Sequence, residues 1–316
     1  MYKAYFQLTR NPFDLTPDPT CFVPTERHNE TLAALYYGVR RHKGIIAVTG
    51  EVGTGKTLLL RCLLRLLEES RDISYAYLFN NRLSATEFLQ YMMMDFGLPA
   101  AGKNKGEMLF ALSQFLVSRS SRQMTTVLIV DEAHLLSDEL LEEVRLLSNL
   151  ETYDDKLLQI VLVGQPELDE KLDSKGLRQL KQRIALRTHL MPLSFEETQR
   201  YIEHRLEVAG ATSNASSIFT PKAVSLIYRY ARGFPRLINS ICENTLITAY
   251  AKQVSTVTPE IVKSVAGEFR LDGALPEEER SASGKGMFAQ RSNGHHPDID
   301  VAIEDEIASD SEQTRL

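Results

Sequence analysis

The sequence predicts an α/β fold with a parallel sheet, followed by an all-helical domain and a disordered acidic tail. Up to about residue 190, short β-branched runs alternate with longer segments of helical periodicity, the pattern of a parallel sheet with crossover helices. Beyond Pro192 the periodicity is helical throughout, and from about Leu271 the composition turns acidic and rich in serine and glycine. The predicted segments are an extended N-terminal arm (1–25), the α/β domain (26–191), the helical domain (192–270) and the tail (271–316).

Composition and charge are typical of a soluble globular protein. Hydrophobic residues make up 43% and charged residues 25% of the 316 residues. From Leu271 onward there are eleven acidic and four basic residues, so the tail carries −7 of the total charge of −6 and the body about +1. A nearly neutral body does not favour nucleic-acid binding. Three separated cysteines indicate buried thiols in a reducing compartment. No apolar run approaches about 18 residues and no signal-peptide core is present, so we expect a cytoplasmic protein without direct membrane insertion.

A glycine-rich motif follows the first predicted strand. The run Ile45–Thr49 is β-branched, and Leu58–Glu69 has a broad leucine face without glycine or proline, so the motif lies between a strand and a helix. It reads G-x-x-x-x-G-K-T, in which backbone N–H groups and a helix N-terminus surround a phosphate. The lysine reaches the β- and γ-phosphates of the nucleotide, and the threonine hydroxyl ligates Mg²⁺. The predicted nucleotide-binding residues are Gly50, Glu51, Val52, Gly53, Thr54, Gly55, Lys56 and Thr57.

Two carboxylates follow another predicted strand. The apolar run Thr126–Val130 ends in Asp131 and Glu132, about 75 residues after the glycine-rich motif, which is the Walker B pattern of nucleoside triphosphatases. We expect Asp131 to hold Mg²⁺ together with Thr57, and Glu132 to polarise the water that attacks the γ-phosphate. The alternative interpretation is an acidic pair near a helix N-terminus. A complete phosphate loop upstream disfavours that alternative.

Polar residues also follow the next predicted strand, Leu157–Val163. Gln165 comes directly after it, at the carboxyl end where open α/β sheets place ligand contacts. An arginine-rich segment, 177–187, then precedes a short strand, Thr188–Leu190. The four helices predicted in the second domain span 195–209, 221–231, 235–252 and 259–269, three of them with proline near the start.

The N-terminal arm is rich in proline and aromatic residues. Because residues that precede proline avoid the helical conformation, we predict that the arm is extended and that its aromatic side chains attach it to the body. Thr25 then caps a helix that ends at about Arg41. The start of this helix can lie over the base of a nucleotide, and His28 is predicted to contact that base. The alternative for His28 is a surface position.

The order of these motifs resembles that of AAA+ ATPases: a phosphate-loop α/β unit, a Walker B strand, a strand with a polar tip, an arginine-bearing segment and a helical lid. More specifically, the chain looks like the ExeA/GspA-type secretion ATPases, over roughly residues 1–270. MshM-like pilus proteins and the ATPases of exosortase (PEP-CTERM) loci share the resemblance, and transposon-encoded TniB-type ATPases are more distant. The segments that carry it are Met1–Tyr2, Asn11–Phe13, Thr16–Pro19, His28–Leu32, Gly50–Thr57, Asp131–His134, Gly164–Leu168, Gln182–Ile184 and Gly233–Asn239.

The resemblance implies a three-layer sandwich with strand order 5-1-4-3-2, a helical lid, and hydrolysis of ATP with Mg²⁺ by a ring or another oligomer. It gives Gln165 the sensor-1 place, where it bonds the γ-phosphate or the attacking water. Arg236 takes the sensor-2 place, coupling the lid to the nucleotide. Arg183 is the candidate for an arginine finger that enters a neighbouring subunit's site, with Arg187 as second candidate. The alternative for Arg183 is a surface ion pair.

Two functional hypotheses from different classes follow. The first is an oligomeric cytoplasmic ATPase that energises or regulates a secretion, pilus or exopolysaccharide assembly system. ExeA/GspA proteins typically continue into a transmembrane helix and a peptidoglycan-binding domain, whereas here an acidic tail follows. We therefore expect action through a membrane-embedded partner at the inner face of the membrane. The alternative is a DNA-binding nucleotide-switch ATPase of the transposition or initiator type, with residues 40–43 as a phosphate-binding patch. A nucleotide-binding scaffold without turnover is disfavoured by the complete set of Lys56, Asp131 and Glu132.

Overall fold

The fold is built on a five-stranded, fully parallel sheet. A computed structural model of the protein describes residues 2–79, 83–211 and 215–271. The strand order is β2-β3-β4-β1-β5, which confirms the order 5-1-4-3-2 implied by the family resemblance. The strands are β1 (Ile45–Gly50), β2 (Ile73–Leu78), β3 (Thr125–Val130), β4 (Gln159–Gly164) and β5 (Ile184–Leu190).

The sheet is covered by helices on both faces, so the α/β domain is a three-layer sandwich as expected. Successive residues of a strand point to opposite faces, and both faces are covered, so every residue of β1, β3 and β4 is buried. Ile46 and Val48 pack with Leu35 of α2 and Leu63 of α3 on one face. The other face contacts α4 to α8. The helices are α2 (Glu26–Arg40), α3 (Lys56–Glu68), α4 (Ala85–Asp95), α5 (Lys105–Ser120), α6 (Asp138–Leu147), α7 (Glu167–Leu172) and α8 (Arg178–Lys181).

The strand order brings three predicted site segments to one edge of the sheet. β1 lies between β4 and β5, and its residue Thr49 is paired with Gly164 at the end of β4. The next residue of the β4 connection is therefore Gln165, beside the phosphate loop that follows β1. β3 pairs with the other side of β4, so Asp131 and Glu132 begin at the same edge. Parallel pairing thus brings together residues separated by more than a hundred positions.

The second predicted domain is helical, as expected. Its four predicted helices are confirmed, and a further short helix precedes α11. The helices are α9 (Phe195–Val208), α10 (Ala215–Ile218), α11 (Pro221–Ala231), α12 (Pro235–Ala251) and α13 (Pro259–Glu268). The predicted disordered tail, from residue 272 onward, lies outside the described residues.

The N-terminal arm is only partly extended, which corrects the prediction. Tyr2–Tyr5 form one turn of helix, α1, and Pro19–Cys21 form a 3-10 turn. The first four residues of the arm contain no proline, and burial of Tyr2 on the helical domain holds this turn in place. Aromatic side chains attach the arm as predicted: Tyr5 packs edge-on against Tyr250, and Phe13 against Phe219.

Within the described ranges, no helix combines the length and the apolar character needed to cross a bilayer.

Gly233 lies in the connection between α11 and α12 and packs against Leu193, in the connection between β5 and α9. No side chain fits at this position. Its φ is +77°, and an added Cβ would lie 2.0 Å from the carbonyl oxygen of Leu193. Leu193 also donates its backbone N–H to the Gly233 carbonyl at 2.9 Å. Side chains are excluded from this close pairing of two connections.

We predict that Gly233→Ala lowers the free energy of unfolding by about 2–4 kcal/mol, because alanine adds both a left-handed backbone penalty and a clash with backbone. Denaturant unfolding monitored by circular dichroism measures the change. The matched control is Gly267→Ala in α13, where φ is not positive and an added Cβ meets no atom within 4 Å. The control is expected to leave stability unchanged or slightly raised. Equal stability of the two variants would contradict the assignment.

Candidate nucleotide site

The phosphate loop is a tight connection between β1 and α3. Gly55 is the N-cap residue of α3 and adopts φ 99°, and Lys56 is the first residue of the helix. The backbone N–H groups at this helix start have no intrahelical partners and face one point, which is the geometry of an anion site. The Lys56 ammonium is buried and donates to the carbonyls of Gly50 at 2.7 Å and Glu51 at 2.9 Å. One of its three N–H donors is therefore left for a phosphate oxygen.

Burial lowers the pKa of Lys56, and the nearby carboxylates of Glu132 and Asp131 oppose that shift. The ammonium and the two carboxylates thus share one electrostatic environment. Asp131 is itself buried, and burial raises its pKa despite hydrogen bonds from the Tyr77 hydroxyl at 2.9 Å and from the Glu132 N–H at 2.9 Å. A carboxylate whose charge is costly in this place fits a divalent cation, which relieves that cost. Asp131 and the Thr57 hydroxyl are the residues that would hold it.

Glu132 lies beside the phosphate loop in a left-handed backbone conformation, with φ 51°. Its Oε2 atom is buried, accepts no hydrogen bond from the described residues and lies 3.4 Å from Nδ1 of His134. The same nitrogen accepts from the backbone N–H of Gln165 at 3.4 Å. His134 therefore lies between the predicted base and the predicted sensor, a position that the sequence analysis did not assign to it.

A cavity of about 340 Å³ opens above the phosphate loop. It contains most of the predicted site residues, including Lys56, Thr57, Glu132, Gln165 and Arg236. Its remaining walls come from the arm and the helical domain, and these residues were missed by sequence reasoning. They are Asp14, Leu15, Thr16, Pro17, Asp18, Tyr201, Arg205, Pro235 and Asn239. Two sequence signals point to some of them: Thr16–Pro19 and Gly233–Asn239 are among the segments that carry the family resemblance, and Arg205 is a polar residue on a mostly apolar helix face.

Arg236 approaches the phosphate loop directly. Its backbone N–H donates to the Gly53 carbonyl at 3.3 Å, and a Cβ added to Gly53 would lie 3.1 Å from the Cβ of Arg236. Gly53 has φ +84°, so the loop needs glycine here both for its turn and for the approach of α12. The first turn of α12 is therefore packed on the loop.

Two arginines hold the arm across the cavity. Arg61 of α3 donates to the Pro17 carbonyl at 2.5 Å. Arg205 of α9 is 4% exposed and donates to the carbonyls of Pro12 and, at 2.7 Å, Asp14. The arm is thus bonded to the α/β domain on one side and to the helical domain on the other.

His28 lies under the phosphate loop. Its Nδ1 is 2.7 Å from the Thr25 hydroxyl, its Nε2 is 3.3 Å from the Thr54 carbonyl, and the ring does not line the cavity. Burial lowers the pKa of His28, so the neutral ring is favoured. This geometry favours support of the loop over the predicted contact to a nucleotide base, which stays a prediction. It also differs from the alternative of a surface position, because the residue is 7% exposed.

The two candidate finger arginines differ in their surroundings. Arg187 forms ion pairs with Asp169 at 3.4 Å and Asp173 at 3.1 Å. Arg183 precedes β5 at the amino end of the sheet and, within the described part of the chain, forms no ion pair. The charge of Arg183 contributes to lowering the pKa of Glu151, after the larger effect of Lys156, so the alternative of a surface acid as its partner stays open.

Comparison with known proteins agrees with this geometry. The AAA domain family matches residues 39–172. General secretion pathway protein A of Aeromonas hydrophila is 44% identical over 253 residues, which cover 80% of this chain. The chain therefore contains an AAA domain. It spans less than half the length of the curated relatives it matches: 45% of the Aeromonas protein, and 24% of human origin recognition complex subunit 1, which is 24% identical over 213 residues and 63% of this chain.

A solved AAA+ structure shares the fold. The Aeropyrum pernix ORC2 protein, determined in ADPNP and ADP complexes, superposes with a TM-score of 0.62 and 18% identity, over 86% of this chain and 74% of that one. At this identity the likeness shows the fold alone.

We predict that Lys56→Ala lowers the affinity for ATP at least about 100-fold, because the variant loses the charge-assisted contact to the phosphates. Equilibrium titration with ATP measures this. Lys43→Ala is the matched control, since Lys43 is an exposed lysine before β1, at the other end of that strand. Normal ATP affinity of the Lys56 variant would contradict the site.

Proposed function

We propose that the chain is an oligomeric, Mg²⁺-dependent ATPase that energises or regulates a secretion, pilus or exopolysaccharide assembly system. The observation that carries the enzymatic part is that Lys56, Glu132 and Gln165, from three different strand ends, line one cavity beside the buried carboxylate of Asp131. A set that binds phosphate, holds a cation and polarises water is the set that phosphoanhydride hydrolysis needs.

In this proposal each residue has a separate task. Lys56 and the loop amides bind the β- and γ-phosphates, and Thr57 and Asp131 hold Mg²⁺, which neutralises charge on the phosphates when bound. Glu132 accepts a proton from the attacking water, and within the described ranges its Oε2 atom has no hydrogen-bond partner that would compete for this role. Gln165 contacts the γ-phosphate or the same water, and Arg236 couples the lid to the nucleotide.

Oligomer formation is supported by the location of Arg183. The seven residue steps from Arg183 to Leu190 at the other end of β5 span about 23 Å of extended chain. Leu190 is the residue paired with Gly50, at the start of the phosphate loop. Arg183 is therefore about a strand length from its own subunit's site. We propose that it acts on a nucleotide held by a neighbouring subunit, whereas Arg187 is bound to two carboxylates of its own chain.

The biological role is proposed from the secretion relative. The name of the Aeromonas protein places that protein in a secretion pathway, and the identity of 44% is high enough to favour a similar role here. We propose a cytoplasmic location, peripheral to the inner face of the membrane through a membrane-embedded partner. Identifying the proteins encoded beside this one and testing them for co-purification examines this part of the proposal.

The second candidate is a DNA-binding nucleotide switch, favoured by the similarity to an origin recognition subunit. The predicted phosphate patch at residues 40–43 does not support it. Arg40 is paired with Asp72, and His42 lies 3.4 Å from Asp155, so half of the patch already faces carboxylates. Affinity for duplex DNA that falls steeply with salt concentration would favour this candidate over the first.

We predict that Glu132→Gln retains ATP binding and lowers the hydrolysis rate at least about 100-fold, because the amide does not accept the proton of the attacking water. Phosphate release at saturating magnesium-ATP measures the rate. Glu139→Gln, an exposed glutamate in the first turn of α6, is the matched control. Undiminished turnover in the Glu132 variant would remove Glu132 from the role of base.

We predict that Arg183→Ala binds ATP normally but hydrolyses it at least about 100-fold more slowly. Mixing it with Lys56→Ala protein is expected to restore part of the activity, since each variant supplies what the other lacks. Arg187→Ala serves as the comparison: mixing it with Lys56→Ala protein is not expected to raise its hydrolysis rate. If mixtures with Arg183→Ala gain nothing, Arg183 does not act between subunits.

A further inference from the structure

The cavity contains a pair of buried polar side chains to which the proposed hydrolysis gives no task. Tyr201 of α9 is 5% exposed and Asn239 of α12 is 7% exposed, and both line the cavity above the phosphate loop. The Tyr201 hydroxyl donates to Oδ1 of Asn239 at 2.9 Å. Both residues belong to the lid.

The hydrogen bond fixes which group Asn239 presents. Because Oδ1 accepts from Tyr201, the amide nitrogen Nδ2 is left with two N–H donors, and among the described residues neither has a protein partner. The residue is buried except where it lines the cavity, so its amide N–H groups are available to a hydrogen-bond acceptor of a ligand bound there.

The position of Asn239 along α12 indicates which part of a nucleotide it meets. Arg236 contacts Gly53 of the phosphate loop, and Asn239 is three residues further along the same helix face, about 4.5 Å along the axis. Asn239 is thus displaced from the phosphates toward the arm, where Leu15 and Pro17 add apolar walls to the same cavity. A nucleoside bound beyond the phosphates would lie between these apolar residues and the lid.

Resting on the proposed function, we propose that Asn239, oriented by Tyr201, recognises the adenine base by donating from its amide N–H to a ring nitrogen. The bond from Tyr201 occupies one lone pair of Oδ1 and fixes the amide plane, so the donors that Asn239 offers are its two amide N–H groups. The ring nitrogens of adenine that are not bonded to the ribose are acceptors alone. Ribose hydroxyls both donate and accept, so they would not need a fixed amide orientation. The two bases differ at N1, which is an acceptor in adenine and an N–H donor in guanine, whereas N3 and N7 are acceptors in both. The ring nitrogen that the Asn239 amide contacts in this proposal is therefore N1, and an amide donor at that position selects against guanine.

The test compares dissociation constants for ATP and GTP, measured by calorimetry in the Glu132→Gln background so that hydrolysis does not interfere. Asn239→Ala is expected to weaken ATP binding about tenfold and GTP binding less than twofold, because only adenine loses a hydrogen bond. Asn239→Asp, which replaces the donor with an acceptor, is expected to shift the preference further toward GTP. Tyr201→Phe frees the amide to rotate and is expected to weaken ATP binding about threefold.

Asn244→Ala is the matched control, because Asn244 lies on the same helix, donates to the Ser240 carbonyl at 2.8 Å and does not line the cavity. It is expected to bind both nucleotides as the parent does. Equal weakening of ATP and GTP binding by Asn239→Ala would overturn the proposal. The proposal would also be overturned if the parent bound 2′-deoxy-ATP more weakly than ATP and Asn239→Ala removed that difference, since that result assigns the amide to the ribose.

If these variants do not fold, the proposal is tested on the parent protein, in which the lid residues are unchanged. ATP analogues that lack one ring nitrogen (1-deaza, 3-deaza or 7-deaza) are titrated against the parent protein, and the 1-deaza analogue is expected to bind about tenfold more weakly than ATP. Equal binding of all three and of GTP would overturn adenine recognition while leaving the proposed ATPase intact. Failure of the proposed ATPase function would give a different result, because the parent protein would then bind neither ATP nor GTP.

Discussion

The pairing of β1 between β4 and β5 is the constraint on which the site depends. It places the phosphate loop next to the end of β4 and, through β4, near the end of β3. The backbone ladder fixes the strand ends and so brings Lys56, Gln165 and Asp131 to the same edge of the sheet. The strands that do this are buried on both faces, and a change of register by one residue would exchange their two apolar faces.

The closure of the cavity depends on a different kind of interaction, in which the side chains of a buried arginine, Arg205, and an exposed one, Arg61, bond to backbone carbonyls. Arg205 is buried and, in the described ranges, has no carboxylate within ion-pair distance, so the carbonyls of Pro12 and Asp14 are what stabilise its charge. Because the acceptors are main-chain atoms of the arm, moving the arm away from the lid would leave the Arg205 charge without these hydrogen-bond acceptors, which is unfavourable. Arg61 makes the equivalent bond from the α/β domain to Pro17. Arm and lid therefore form one wall of the nucleotide cavity.

The features that could be predicted from the sequence are those that a local sequence pattern encodes. The phosphate loop needs a strand, a glycine turn and a helix within about 25 residues, and the carboxylates of Asp131 and Glu132 need only the end of an apolar strand. Tyr201, Arg205 and Asn239 were missed because their place in the site comes from packing between segments that are far apart: the Arg205 bond to Pro12 joins residues 193 positions apart. His28 was assigned to the correct helix start, but which side of the loop its ring meets depends on tertiary contacts. The helical turn α1 was missed because the extended conformation expected from the prolines further along the arm was also assigned to its first residues, which include no proline.

The two halves of the proposed reaction differ in how completely one subunit provides them. Glu132 is held in a left-handed backbone conformation beside His134, a costly geometry that the surrounding β3 and β4 ends impose within a single chain. Arg183, in contrast, lies at the amino end of β5, and no rotation of its side chain spans the length of that strand. In the proposed function, a single subunit provides the base, the cation ligands and the phosphate loop, but not the arginine that would stabilise charge on the γ-phosphate. The proposal therefore makes hydrolysis dependent on assembly, because the arginine has to come from a neighbouring subunit.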